Sequence, residues 1–192
     1  MSLWGIVGVL ARPARRQLRF EEGAAAVEFA LLLPLFVMLT IGTISAGFSF
    51  HAWLNVTHGA QESSRFAATL SIEASGGSTE LWLTQVSERA LSAANLLVSP
   101  TEAMPGTEAC VALVSPTNVP IQSSHMTLTA DSSGAISRSG VLTGPCDGLP
   151  TMSGDYVQTR VSKPVTFNYV LGGTDIQVTA KSVNQFEAVN LS

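Results

Sequence analysis

Residues 23–34 read Gly23-Ala24-Ala25-Ala26-Val27-Glu28-Phe29-Ala30-Leu31-Leu32-Leu33-Pro34. One glutamate stands inside the start of a long apolar run, five residues after a glycine, with arginines just upstream. On insertion scales an acidic side chain at mid-bilayer costs roughly 2.5–3.5 kcal/mol, and less toward the membrane edge. An acid kept in such a place is expected to have a use, and Glu28 is therefore the first candidate functional residue.

Downstream, Phe29 to Phe50 contains no charge. As a helix it spans about 33 Å, against a hydrocarbon core of about 30 Å. Four arginines (Arg12, Arg15, Arg16 and Arg19) precede the run, and the next basic residue is Arg65. The positive-inside rule places residues 1–22 in the cytoplasm and the large C-terminal part outside. The composition agrees with one modest domain plus an anchor. The chain has 192 residues, 46% hydrophobic and only 12% charged, where soluble domains carry about 25% charge. The ten basic residues less the four leading arginines leave six, against twelve acids from Ala24 onward. That acidic body disfavours nucleic acid as a partner, because nucleic-acid binding needs a basic footprint.

Three readings compete for the apolar segment. A cleavable secretory signal has an apolar region of about 7–15 residues followed by a small-residue cleavage site, and this run is too long. An ordinary signal-anchor explains length and orientation but leaves Glu28 as an accident. A prepilin-type signal, cut on the cytoplasmic side before the apolar run, accounts for the glycine, the glutamate and the retained helix together.

The stretch Gly23 to Pro34 resembles the start of TadE-like proteins, the minor pilins or pseudopilins of the tight-adherence (Tad/Flp) pilus system. The segment Gln61-Glu62-Ser63-Ser64-Arg65-Phe66-Ala67-Ala68-Thr69 is similar to the family's segment after the helix. Ile176-Gln177-Val178-Thr179-Ala180-Lys181-Ser182-Val183, followed by Glu187, resembles its final strand and closing acid. The resemblance implies cleavage between Gly23 and Ala24 by a prepilin peptidase, so that Glu28 becomes the fifth residue of the mature chain. The family often carries Tyr after this Glu, and here it is Phe29, similar in shape but without the hydroxyl. Implied partners are other pilin and pseudopilin subunits, the peptidase, the Tad inner-membrane assembly platform and membrane lipid. The implied location is the bacterial inner membrane, with the C-terminal domain extracytoplasmic, and an extracellular pilus after assembly.

The chemistry fits such a mechanism. After cleavage Ala24 carries an α-amino group with a pKa near 8, and Glu28 sits one helical turn on. The expectation is that a neighbour's terminal ammonium would pair with Glu28 and set the axial step between subunits; such buried pairs serve register better than raw stability. Gly23, lacking a Cβ, lets a protease approach an extended backbone closely. Gly42 and Ala46, then Thr43 and Gly47, are small residues four apart, continued by Ser45 and Ser49. Small-xxx-small faces let membrane helices pack closely. Pro34 lies one to two turns inside the mature helix and is a candidate kink. Trp53, Val56, Ala60, Ala67 and Leu70 continue an apolar stripe at helical spacing, predicting one helix from about Ala24 to Leu70. Trp53 is a candidate interfacial anchor or core residue.

The expected fold class is α+β. A basic leader (1–23) precedes the long helix (24–70, membrane-spanning over about 29–50). Residues 71–192 form an extracytoplasmic domain of a second helix and a small antiparallel sheet. The turn at Glu73–Ser78 precedes capping residues and a helix over about Thr79 to Leu97, ended by Ser99-Pro100. Strands are expected at Ala109–Val114, His125–Ala130, Ala135–Val141, Asp155–Asn168 and Thr174–Ser182, with Pro164 at a bend or an edge. Ser115–Ser124 is the loosest stretch. Cys110 and Cys146 are too far apart for a CxxC motif. Outside the cytoplasm they suggest a disulfide worth about 3–4 kcal/mol; two buried thiols are the alternative.

No catalytic constellation is visible, and neither an enzyme nor a cofactor is expected. His58 and Glu62 are four apart on the helix, but two ligands without an HExxH pattern make no metal site. Asp131, Asp147, Asp155 and Asp175 read as turn residues. Asn55-Val56-Thr57 and Asn190-Leu191-Ser192 match the glycosylation pattern, which is common by chance. The runner-up to a TadE-like minor pilin is an uncleaved single-pass envelope protein with an extracytoplasmic binding domain.

Overall fold

Leu18 to Thr69 form one helix, α1, about 78 Å long at 1.5 Å per residue. The computed structural model describes residues 18–115, 123–146, 154–169 and 172–185, with side chains from Gly23 onward. Arg12, Arg15, Arg16, Asp147, Glu187, the Asn190 pattern and most of the Ser115–Ser124 stretch lie outside the described residues. The helix ends where periodicity predicts but begins before Ala24, so Gly23 is itself helical. Leu, Arg, Phe and Glu upstream are adequate helix formers, and a single Gly costs only about 1 kcal/mol. α1 runs unbroken through Pro34.

Residues 23–40 are exposed on every side. From Ser45 on, one face is buried: Ser45, Ala52, Val56, Gly59, Ala60, Ser63, Ser64 and Ala67. Steps of three and four keep these residues on one stripe, and their small size lets the helix lie close to its neighbours. Trp53 is not part of that stripe; it is 45% exposed and stacks on Phe50.

A turn through Gly76 and Gly77, at φ 105° and 73°, leads to α2 (Thr79–Ala93). Both angles lie in the region where L side chains are strained. Trp82 of α2 is fully buried, and its indole Nε1 donates to the Leu70 carbonyl at 2.8 Å, closing the end of α1. Ser78 takes the N-cap position, yet its side chain makes no capping bond. The helix stops four residues short of the predicted Leu97. Asn95 adopts φ 55°, while Leu96 N–H donates to Leu91 O at 2.8 Å and Asn95 N–H to Ser92 O at 3.0 Å. This is the paired closure of a Schellman end, in which Asn replaces the usual Gly.

Strand β1 (Leu97–Ser99) pairs with β2 (Glu102–Ala103) in a two-stranded sheet that the sequence reading does not anticipate. The remaining strands are β3 (Glu108–Val114), β4 (Ser124–Ala130), β5 (Ile136–Arg138), β6 (Leu142–Thr143), β7 (Tyr156–Tyr169) and β8 (Gly172–Gln185). They form one antiparallel sheet in the order β5-β4-β3-β7-β8, with β6 also paired to β4. Of the strand expected at Ala135–Val141 only Ile136–Arg138 forms, as β5; Gly140, at φ 74°, turns the chain, and β6 starts beyond the expected range at Leu142. β7 pairs with β3 only over Tyr156–Ser162, so Pro164 falls where one side of β7 is open and no ladder donor is lost.

Both helices pack on one face of this sheet. Ala109, Val111 and Leu113 of β3 join Val56, Ala60, Trp82, Leu83 and Val86 in the main core. Cys110, Ala112 and Val114 face the other way and cluster with Cys146 and Tyr156. Cover on both faces explains why β3 reads as a continuous apolar run rather than an alternation. Of the two alternatives for the cysteines, the disulfide is the one formed, joining Cys110 to Cys146.

Candidate functional site

The membrane-type end of α1 carries the predicted processing and register residues. Gly23, Ala24, Glu28 and Phe29 are all exposed on the helix. A Cβ at Gly23 would meet nothing within 4 Å, so the glycine is not required by packing within the chain. Among the described residues Glu28 has no ion-pair partner. Ala24 and Glu28 lie one turn apart on one face. Among the described residues one helix, Gly23–Thr69, is long and apolar enough to cross a membrane. Two hydroxyls of its apolar half are satisfied locally: Thr40 donates to Phe36 O at 2.8 Å and Thr43 to Leu39 O at 2.7 Å. In hydrocarbon an unsatisfied polar group costs several kcal/mol, so these back-bonds leave a face fit for lipid or another helix.

The small residues divide between two faces. Ser45 Oγ donates to the Asn168 carbonyl of β7 at 2.8 Å, and Ser49 Oγ bonds back to Ser45 O at 3.0 Å. These serines face the chain's own hairpin and do not extend the predicted small-residue face. Thr43 and Gly47, two residues either side of Ser45, point to the opposite side of the helix at 100° per residue. Both are exposed, and a Cβ at Gly47 would meet nothing within 4 Å. Gly42 and Ala46 lie between the two faces; Gly42 is half-buried and equally free of close neighbours.

Sequence reasoning missed the residues that join α1 to the domain. A Cβ on Gly59 would fall 2.6 Å from Ala94 Cβ and 2.7 Å from Ala90 O, so the two helices meet there at a distance only glycine allows. The signal was present as Gly59-Ala60 with Ser63-Ser64 one turn on, a run of small residues in a polar helical stretch. Ser64 Oγ lies 2.7 Å from Ser182 Oγ and accepts from Asn184 Nδ2 at 2.6 Å, tying α1 to β8. Glu62 and Arg89 pair at 2.8 Å, with Arg89 also 5.8 Å above the Phe66 ring. The Arg89 hydrogen bond holds the Glu62 carboxyl below its ordinary value, partly opposed by desolvation. Glu62 is therefore engaged by Arg89 and not poised beside His58 as a ligand pair. Among the described residues no three His, Cys, Asp or Glu side chains gather. Asp131 is likewise lowered, chiefly by the Ser133 hydroxyl and backbone, as befits the turn residue predicted there.

Residues 23–65 match the family model of TadE-like proteins. The match begins at the predicted cleavage glycine and ends at Arg65; it does not reach the C-terminal stretch that also resembles the family. No curated protein and no solved structure matches the chain. The family match points to a protein associated with the tight-adherence pilus and anchored through its N-terminal helix.

Proposed function

We propose that this chain is a TadE-like minor pilin (pseudopilin). It would be inserted with residues 1–22 in the cytoplasm, cut after Gly23 by a prepilin peptidase, and passed by the Tad assembly platform into the base, tip or shaft of an adhesive fibre. One observation carries the reading. Glu28 stands one turn from Ala24, exposed on an otherwise apolar helix that its own domain leaves uncovered. A carboxylate so placed is satisfied most simply by a cation from another copy or another pilin, and the amine released at Ala24 supplies one. The Thr43–Gly47 face, turned away from the chain's own hairpin, gives the neighbouring helix a close approach. The roughly 120 residues after the helix suit a minor subunit, since the main pilin of the Tad system is a very short chain with almost no globular domain.

The test is Glu28→Gln in the native host, followed by leader removal and by surface pilus yield. The account predicts normal insertion and maturation with assembly lost. Removing one partner of a buried pair costs about 3–5 kcal/mol, more than a hundredfold in association. Normal maturation with a normal pilus yield would remove the register role.

A further inference from the structure

The β7–β8 hairpin reaches back along α1 into the apolar run. β7 continues past Ser162, its last residue paired with β3, to Tyr169. Over this stretch β7 and β8 form a two-stranded ribbon, and among the described residues no further strand pairs with either outer edge. Asn168 accepts the Ser45 hydroxyl, five residues inside the uncharged Phe29–Phe50 stretch. Open strand edges do not enter hydrocarbon, where their N–H and C=O groups have no partner. The hydrocarbon core therefore ends near Ser45, short of the Phe50 that hydropathy alone suggests.

The ribbon is built for such a boundary. Val157 and Val161 belong to the helix-side core, so by alternation Val165, Phe167 and Tyr169 share that face. Ile176, paired with Val165, lies there too. The opposite face carries Thr166, Asn168, Asp175 and Gln177. Tyr169 is 49% exposed and Ile176 42%, beside the helix and at the level where it leaves the domain. The helix-side face is apolar except for Lys163 at its domain end and Thr174 opposite Phe167, and it ends in Tyr; with a polar face opposite, that is the composition of a membrane interface.

We propose that the β7–β8 ribbon, at Tyr169 and Ile176, rests in the lipid headgroup layer on the domain's side and sets how deeply α1 is immersed. This rests on the reading of α1 as a membrane helix. With Ser45 at the boundary, Ala24 lies about 31 Å away along the helix and Glu28 about 25 Å. Against a core of about 30 Å, the scissile Gly23-Ala24 bond reaches the opposite surface. Glu28 sits just inside that surface, where an acid costs least. The hairpin thus presents the cleavage site at the depth a peptidase working at the cytoplasmic face requires.

The experiment uses the full chain, disulfide intact, in phosphatidylcholine–phosphatidylglycerol vesicles at low protein-to-lipid ratio. A nitroxide is placed singly at Tyr169→Cys, Leu33→Cys and Glu73→Cys, and its collisions with oxygen and with a water-soluble nickel chelate are compared. The proposal expects Leu33 to report the oxygen-rich interior, Glu73 to report water, and Tyr169 to report the headgroup level between them. A Tyr169 signal equal to Glu73, with Leu33 still deep, overturns the hairpin contact and leaves the membrane helix intact. Shielding of Tyr169 from both reagents gives the surface to a second copy and overturns the lipid assignment. Water access at Leu33 overturns the membrane helix itself, and the hairpin contact with it.

Discussion

Gly59 and Gly47 lie twelve residues apart on one helix and ask opposite things of a side chain. At Gly59 a methyl group would meet backbone atoms, Ala90 O at 2.7 Å and Ala94 N at 2.9 Å. These cannot rotate away as a flexible side chain would. Helix propensity favours Ala over Gly by about 1 kcal/mol, while overpacking costs about 1–3 kcal/mol and occasionally more. Rigid neighbours put the balance on the side of the clash. Gly59→Ala is expected to lower stability by about 1–2 kcal/mol, read by denaturant unfolding of the full chain in detergent. Gly47→Leu, with open space around it, should leave that unfolding unchanged and lower pilus yield instead. Equal loss of stability in both would mean that the two faces of α1 are not separate. Glu28 and Gly23 stand out in the sequence as candidates because each violates a local expectation. Gly59 does not, because its reason is a neighbour brought in from thirty-five residues downstream, Ala94.

At the scale of elements, α1 and α2 are joined by small-residue contact at Gly59 and by the Glu62–Arg89 pair at 2.8 Å. The pair is exposed enough to be screened by salt. Because folding lowers the Glu62 pKa from 4.5, its contribution is fully present above that unfolded value. It is lost as pH falls through the lower folded value. Glu62→Gln should therefore reduce the drop in denaturant midpoint between neutral and strongly acidic pH. High salt should shrink the difference between the two proteins. An identical acid dependence at low salt would show that the pair carries no linkage. Long periodic elements were readable: α1 ends at Thr69, and β7 and β8 fall within a few residues of their predicted ranges. The misread ends depend on backbone closures that periodicity does not encode. α2 stops at the left-handed Asn95, and Leu97, read as its last apolar position, begins β1. The strand expected at Ala135–Val141 stops at Arg138, shortly before Gly140 takes a positive φ.

For the whole molecule, a bare apolar helix projects from a compact α+β domain, and a disulfide holds the domain's far face. Cys110 and Cys146 are separated by 36 residues, for which loop closure gives about 3–4 kcal/mol. Replacing both by Ala should lower unfolding free energy by about that amount while leaving membrane insertion alone. No loss would mean that the cover over β3 holds without the bond. The α+β class was legible from composition and pattern. The hairpin's return along α1 to Ser45 was not, since it depends on the length of β7 beyond β3. The account as a whole turns on a leader removed to free an amine one turn before Glu28. Its most direct measurement is the N-terminal sequence and intact mass of the protein purified from its native envelope. The account predicts a chain beginning at Ala24, and a mature protein that still carries its arginine-rich first 23 residues would contradict it.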